Sequence, residues 1–217
     1  MSNQKVQIPD RHFALEMPDE KTGGCSILML GSTRSGKSTA LKYILDKHFK
    51  KHLGCLFSNS IHANAYNQMR SYPNLVPSGI VVPEIVKDAY LINRETKNHY
   101  NWLFVYDDTP TVRNDKELLK LLTIYRNTGI SGIVCTQAPT LINPTCRSNF
   151  NFVLLFKLNA TEQIDNVVKM YLRGYMPKSF NYEDKIRWFK QATDDHHFIF
   201  IDNLNGTIQR CKIDTSE

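Results

Sequence analysis

Eight consecutive residues, Gly31-Ser32-Thr33-Arg34-Ser35-Gly36-Lys37-Ser38, carry the spacing G-x-x-x-x-G-K-[ST]. The residue types set the chemistry. Glycines let backbone N–H groups turn inward on an anion, and a helix starting where the loop ends adds its partial positive charge. The lysine after the second glycine reaches the outer phosphates of a nucleoside triphosphate, and the next hydroxyl ligates Mg²⁺. The expected ligands are therefore ATP and Mg²⁺. Around the nucleotide the segment places Gly31, Ser32, Thr33, Arg34, Ser35, Gly36, Lys37, Ser38 and Thr39, with Lys37 also catalytic and Ser38 on the metal. The flanks suit this reading. An apolar run over 25–30 predicts a buried strand, and apolar residues at helical spacing follow the loop.

A second chemical signal is Trp102-Leu103-Phe104-Val105-Tyr106-Asp107-Asp108, a strand ending in two carboxylates. An acid at a strand's C-terminal end can hold the hydration shell of Mg²⁺, and its neighbour can orient and activate the attacking water. Asp107 is assigned to the metal and Asp108 to the water; taken alone, the pair also fits two solvated turn aspartates ahead of Thr109-Pro110. A third strand, 132–136, ends in Gln137. If that strand lies between the other two, Gln137 faces the γ-phosphate, where it could sense nucleotide or position water. A simple cap of the strand end is the alternative.

The elements that must position these residues alternate along the chain. Strands are expected over 25–30, 53–58, 102–106, 132–136 and 152–158, with helices over 37–51, 115–126 and 161–172. Continuous apolar strands alternating with helices predict an α/β fold, a mainly parallel sheet covered on both faces. Residues 1–24 read as an N-terminal arm and 25–217 as a single domain. Prolines 73, 77 and 83 interrupt the 59–101 stretch, though 83–93 fits a helix. A short amphipathic helix carrying Trp188 and Phe189 precedes a C-terminal hairpin, 197–201 and 207–213, turning at Asn203-Leu204-Asn205-Gly206.

Composition narrows the class. The 217 residues are 41% hydrophobic and 22% charged, as in a globular domain, and no apolar run approaches membrane-spanning length. The polar start lacks a signal-peptide core, so secretion is not expected. Five scattered cysteines suit small buried side chains in a reducing compartment. His48 and His52, four apart among lysines, suit a solvated helix face better than a metal site. A net charge of +6 permits a polyanionic partner. Arg113, Lys116 and Lys120 are candidates for touching it, although a solvated helix face explains them equally well.

The combination GSTRSGKST, LFVYDD and the stretch from Tyr125 to Pro139, read as R-N-T-G-I-S leading into T-Q-A-P, resembles the FtsK–HerA group of DNA-pumping ATPases. The run from Asn143 to Phe150 resembles its viral branch, the poxvirus-type genome-packaging ATPases of large DNA viruses and their relatives. The resemblance spans roughly residues 25–165. It implies a P-loop NTPase three-layer sandwich with an additional strand between the Walker A and Walker B strands. It also implies a pentameric or hexameric ring, ATP hydrolysis coupled to translocation of double-stranded DNA without sequence preference, and a preformed capsid or portal vertex as partner. The location implied is the host-cell cytoplasm, the virus assembly site or the virion. In such rings an arginine completes the neighbouring subunit's site; Arg147 is the first candidate and Arg126 the second, with ordinary salt bridges as the alternative. Cellular pumps often carry Asp-Glu where this chain has Asp107-Asp108, which shortens the base by one methylene. No counterpart of their membrane and DNA-orienting domains is present, which points to the compact viral type. The competing readings are a P-loop small-molecule kinase, whose lid would need more than Arg173 and Arg187, and an ATP-binding assembly component without turnover.

Overall fold

The computed structural model describes residues 8–18, 23–60, 72–109 and 114–213. Its centre is strand β2 (Ser26–Leu30), whose five residues are all buried. Helices on both sides of the sheet explain why this strand has no polar face. Ile27 and Met29 point into one core, with Ala40, Leu41 and Ile44 of α1 (Lys37–Ile44). Leu28 and Leu30 point into the other. There they join Val86 of α2 (Pro83–Glu95), Leu121 of α3 (Lys116–Thr123), Ile164 of α5 (Thr161–Val167) and Phe189 of α6 (Tyr182–Ala192). A short helix, α4 (Pro144–Arg147), lies between α3 and α5 in the chain. This alternation across one strand makes a three-layer sandwich.

Around β2 stand β3 (Leu53–Ser58), β4 (Leu75–Ser78), β5 (Trp102–Asp107), β6 (Ile130–Thr136), β7 (Phe152–Leu155), β8 (Phe198–Asp202) and β9 (Thr207–Lys212), with β1 (Asp10–His12) at one edge. Their order is β1-β9-β8-β7-β2-β6-β5-β3-β4. Pairing is parallel except for β7 with β8 and β8 with β9, the C-terminal hairpin expected from the sequence. Strand β6 lies between the loop strand β2 and the acid-bearing strand β5.

Some local expectations change. Part of the arm joins the sheet: β1 pairs with β9, Arg210 forms an ion pair with Asp10 at 3.1 Å, and Phe13 and Leu15 are buried. Strand β4 forms despite Pro77, which an edge strand tolerates because one side of its ladder is unpaired. The helix expected over 37–51 is α-helical only to Ile44 and widens into a π-helical turn over Leu45–Phe49. The helix from Thr161 widens in the same way over Val168–Leu172. Helix α3 stops at Thr123, followed by a 3₁₀ turn at Tyr125–Thr128. All five cysteines are free and buried. Among the described residues no helix is long and apolar enough to cross a membrane.

Candidate nucleotide-binding site

The chain leaves β2 at Leu30 and enters α1 at Lys37, so the loop hangs from the C-terminal edge of the parallel sheet. Two neighbouring strands hold it there. Gly31 N–H donates to the Thr136 carbonyl at 3.1 Å, beyond β2 on the β6 side. Ser32 N–H donates to the Lys157 carbonyl at 2.9 Å on the β7 side, and Asn159 N–H donates to the Ser32 hydroxyl at 3.0 Å. A side chain at position 31 has no room: its Cβ would stand 2.6 Å from the Phe156 Cβ and 2.7 Å from the Ser35 hydroxyl. Position 36 needs glycine for a different reason, a φ of 101° at the turn into α1.

Lys37 is 7% exposed, and its ammonium donates to the carbonyls of Gly31 (2.7 Å) and Ser32 (3.1 Å). The cation is thus folded back over the loop, held by acceptors that a phosphate oxygen would replace. Ser35 Oγ is buried with no hydrogen-bond partner among the described residues. Such an orphan costs free energy until something polar reaches it, which suits a loop built for an anionic occupant. Ser38 and Thr39 present exposed hydroxyls in the first turn of α1.

The sheet register brings the acids to the same edge. Asp107 pairs with Cys135 of β6, and Cys135 pairs with Met29 of β2. Two strand spacings separate Asp107 from β2, about 10 Å between backbones. Asp107 is 4% exposed, and its carboxyl is pushed up from 3.8 to about 7. Burial is the largest cause and the Asp108 charge the next, opposed by Lys37 and by the Cys135 thiol that donates to it. Asp108 begins as a continuation of the strand, its N–H donating to the Cys135 carbonyl at 2.9 Å. Its φ of 48° then turns the backbone left-handed and breaks the alternation of faces. A buried carboxyl and a more accessible one therefore stand side by side.

Gln137 joins the acid to the loop. Its Nε2 donates to Asp108 Oδ2 at 3.0 Å, while its Oε1 accepts from the Thr33 hydroxyl at 3.1 Å. Both ends of the amide are engaged, so its orientation is fixed by a donor on one side and a carboxylate on the other. Among the described residues no hydrogen bond reaches the other oxygen of Asp108.

The structure brings together the loop, Lys37, Asp107, Asp108 and Gln137. The two arginines stand apart from them. Arg126 Nη1 donates to the Asn149 carbonyl at 3.5 Å, an oxygen that also accepts from the Ser26 hydroxyl at the start of β2. The five residues of β2 place that contact about 16 Å from the loop. Arg147 donates through Nε to its own Ile142 carbonyl at 3.1 Å and faces Tyr171. Lys120 is tied to Glu117 at 2.6 Å. Arg113 lies outside the described residues.

Sequence reasoning missed Phe156, Lys157 and Asn159, which hold the loop from the β7 side mainly through packing and backbone groups. Backbone contacts leave no residue-type signal, and the strand expected over 152–158 ends at Leu155, so Phe156, Lys157 and Asn159 lie in the segment after it.

No protein-family model matches the chain. In sequence it is 26% identical over 224 residues to protein 015R of Frog virus 3 (isolate Goorha), an alignment covering 94% of this chain and 66% of the relative. The chain thus spans just under two thirds of that relative's length. In structure it is similar to the genome packaging NTPase B204 from Sulfolobus turreted icosahedral virus 2 in complex with AMPPCP. That likeness has a TM-score of 0.59 at 13% identity and covers 89% of this chain and 99% of the other. It is similar as well to EssC (ATPases 2 and 3) from Geobacillus thermodenitrificans, with a TM-score of 0.61 at 12% identity, over 91% of this chain and 41% of that one. At such identities the fold is what is shared: an α/β P-loop NTPase with a mixed, mostly parallel sheet.

Proposed function

We propose that this chain hydrolyses ATP and uses the energy to move double-stranded DNA into a preformed viral capsid, working as a ring of identical subunits at the site of virus assembly. The observation that carries the ATPase reading is the hydrogen-bonded path from Thr33 through Gln137 to Asp108, which physically couples the phosphate loop to an accessible acid on β5. A site that only held nucleotide would have no need to orient such an acid. The motor reading is supported by the fold shared with a viral genome packaging NTPase, and its viral setting by sequence similarity to a protein of Frog virus 3.

Each residue then has a task. Lys37 leaves the Gly31 and Ser32 carbonyls and pairs with the outer phosphates, while loop N–H groups cradle them. Asp108 accepts a proton from water through its free oxygen, a contribution typically worth about 10²–10⁴ in rate. Gln137, already bonded to both loop and acid, reports the state of the γ-phosphate to Asp108. The residues present also fit Mg²⁺: the buried Asp107 carboxyl and the exposed Ser38 hydroxyl are oxygen donors, and Asp107 is held above its ordinary pKa by burial and Asp108, with Lys37 only partly offsetting them, so a cation would stabilise its charged form. When bound, the ion neutralises charge on the β- and γ-phosphate oxygens. Arg147, or failing that Arg126, is proposed to act on the neighbouring subunit's phosphates, since neither bonds to the loop of its own chain among the described residues.

The test measures ATP turnover with and without duplex DNA while following particle mass in solution. Stimulation by DNA together with a five- or six-fold rise in mass is the expected result. Turnover indifferent to DNA by a particle that stays monomeric would reject the motor and leave a nucleotide-binding component or a kinase.

A further inference from the structure

We propose that a cationic cavity on the α5–α6 side of the molecule grips the phosphate backbone of duplex DNA. The inference rests on the DNA-motor reading above and identifies the surface through which the motor would hold its track. The cavity has a volume of about 720 Å³ and lies between the π-helical end of the α5 helix and the beginning of α6. Four cations line it: Lys169, Arg173, Lys178 and Lys185. Asp165 is the acid that faces them, and Lys169 neutralises it at 2.5 Å. Arg173, Lys178 and Lys185 have no carboxylate within ion-pairing distance among the described residues. Three uncompensated positive charges around one concavity repel each other, so they favour an anionic occupant.

The kind of anion follows from what else is present. The core of a protein–protein interface is depleted of charged residues, Lys above all, whereas four cations line this cavity. Here Val168, Met176 and Pro177 form an apolar floor, and the exposed Lys169, Arg173 and Lys178 around it make the rim charged. Tyr182, exposed at the mouth, adds a hydroxyl donor. Positive charge plus hydroxyl and N–H donors is the combination that binds phosphates without reading bases. A sphere of this volume is roughly 11 Å across, too narrow for a duplex but wide enough for one edge strand, whose successive phosphates stand about 7 Å apart once the helical turn is added to the axial rise of about 3.4 Å. That span faces about two phosphates, which the three unpaired cations are enough to neutralise. The structure thus favours this cavity over Lys116 and Lys120, the latter being occupied by Glu117.

The experiment titrates a labelled duplex of mixed sequence with the full chain at several KCl concentrations, reading fluorescence anisotropy. Wild type is compared with Arg173→Glu/Lys178→Glu, both exposed positions, and with Lys50→Glu/Lys51→Glu on α1's side as an equal change of net charge. ATP turnover without DNA shows that the variants are folded. The expected outcome is a 10- to 100-fold loss of duplex affinity for the cavity variant alone. The slope of log affinity against log salt should also become shallower by about 0.9 for each phosphate that is no longer neutralised. Equal losses in both variants, or wild-type affinity and slope in the cavity variant, would overturn the proposal. Unchanged duplex binding with lost binding of poly-glutamate would also overturn it, and would point to an acidic protein partner. If wild type itself binds no duplex, the motor reading fails along with the cavity; if wild type binds and the cavity variant is unaffected, only the cavity fails.

Discussion

Replacing Asp107 by Asn should stabilise the nucleotide-free protein at neutral and alkaline pH. The reason is the carboxyl's burial at 4% exposure beside Asp108, which raises its pKa from 3.8 to about 7. Below pH 3.8 the group is protonated in both folded and unfolded chains and costs nothing. As pH rises towards 7 the unfolded chain gives up its proton while the folded chain retains it, so stability contributed by the protonated acid is progressively lost. At about 1.36 kcal/mol per unit, the full penalty above pH 7 is at most about 4 kcal/mol. Asparagine keeps the size and the acceptor for the Cys135 thiol but cannot ionise. For a domain of this size the gain corresponds to a rise in Tm on the order of 10 °C. Thermal unfolding of both proteins, free of divalent cations and nucleotide, across pH 4 to pH 8.5 checks this. The Tm difference should be near zero at the acid end and grow with pH. A difference that does not change with pH would refute the assignment of the cost to this carboxyl. Nucleotide with Mg²⁺ should then stabilise wild type more than the variant, because the ion compensates a charge that asparagine lacks.

Other residues give separable outcomes. Lys37→Ala should lower nucleotide affinity and turnover by at least 100-fold, checked by equilibrium binding of a fluorescent ATP analogue and by phosphate release. Gln137→Ala and Thr33→Val should each lower kcat for ATP by 10- to 100-fold with KM changing less than about threefold, since both act through the orientation of Asp108; Thr33→Ser, which restores the hydroxyl, should recover most of the loss. Gly31→Ala, which forces a Cβ to 2.6 Å from the Phe156 side chain, should abolish nucleotide binding and cost about 1–3 kcal/mol of stability by chemical denaturation. Mixing inactive Arg147→Ala with inactive Lys37→Ala subunits should regenerate turnover if Arg147 acts across the subunit boundary, and should leave the mixture inactive if it acts within its own chain.

Much of this arrangement was legible because buried parallel strands and a glycine loop impose strong residue patterns. The β2 run and the Gly31–Ser38 spacing placed the loop, and the ends of β5 and β6 placed Asp107, Asp108 and Gln137 on one edge. Strands at the sheet margins were harder to see. Asp10-Arg11-His12 has no apolar alternation and pairs only through its backbone and an ion pair, while Pro77 disguised an edge strand as a break. The pairing of Gln137 with Thr33 was also out of reach, because contact between residues 104 apart depends on the order of β2 and β6 rather than on local composition. For the same reason the basic cavity, assembled from α5, the following turn and α6, reads in the sequence as scattered surface charge.

A triphosphate lying in the loop with its metal against Asp107 is the central requirement. Crystals grown with a non-hydrolysable ATP analogue and Mn²⁺ in place of Mg²⁺ test this through the anomalous signal of the ion. The expected density shows the γ-phosphate in contact with the Lys37 ammonium and an anomalous peak between Ser38 Oγ and the Asp107 carboxyl. A loop without density for phosphates, with Lys37 still bonded to Gly31 and Ser32, or a peak remote from Asp107, would contradict it.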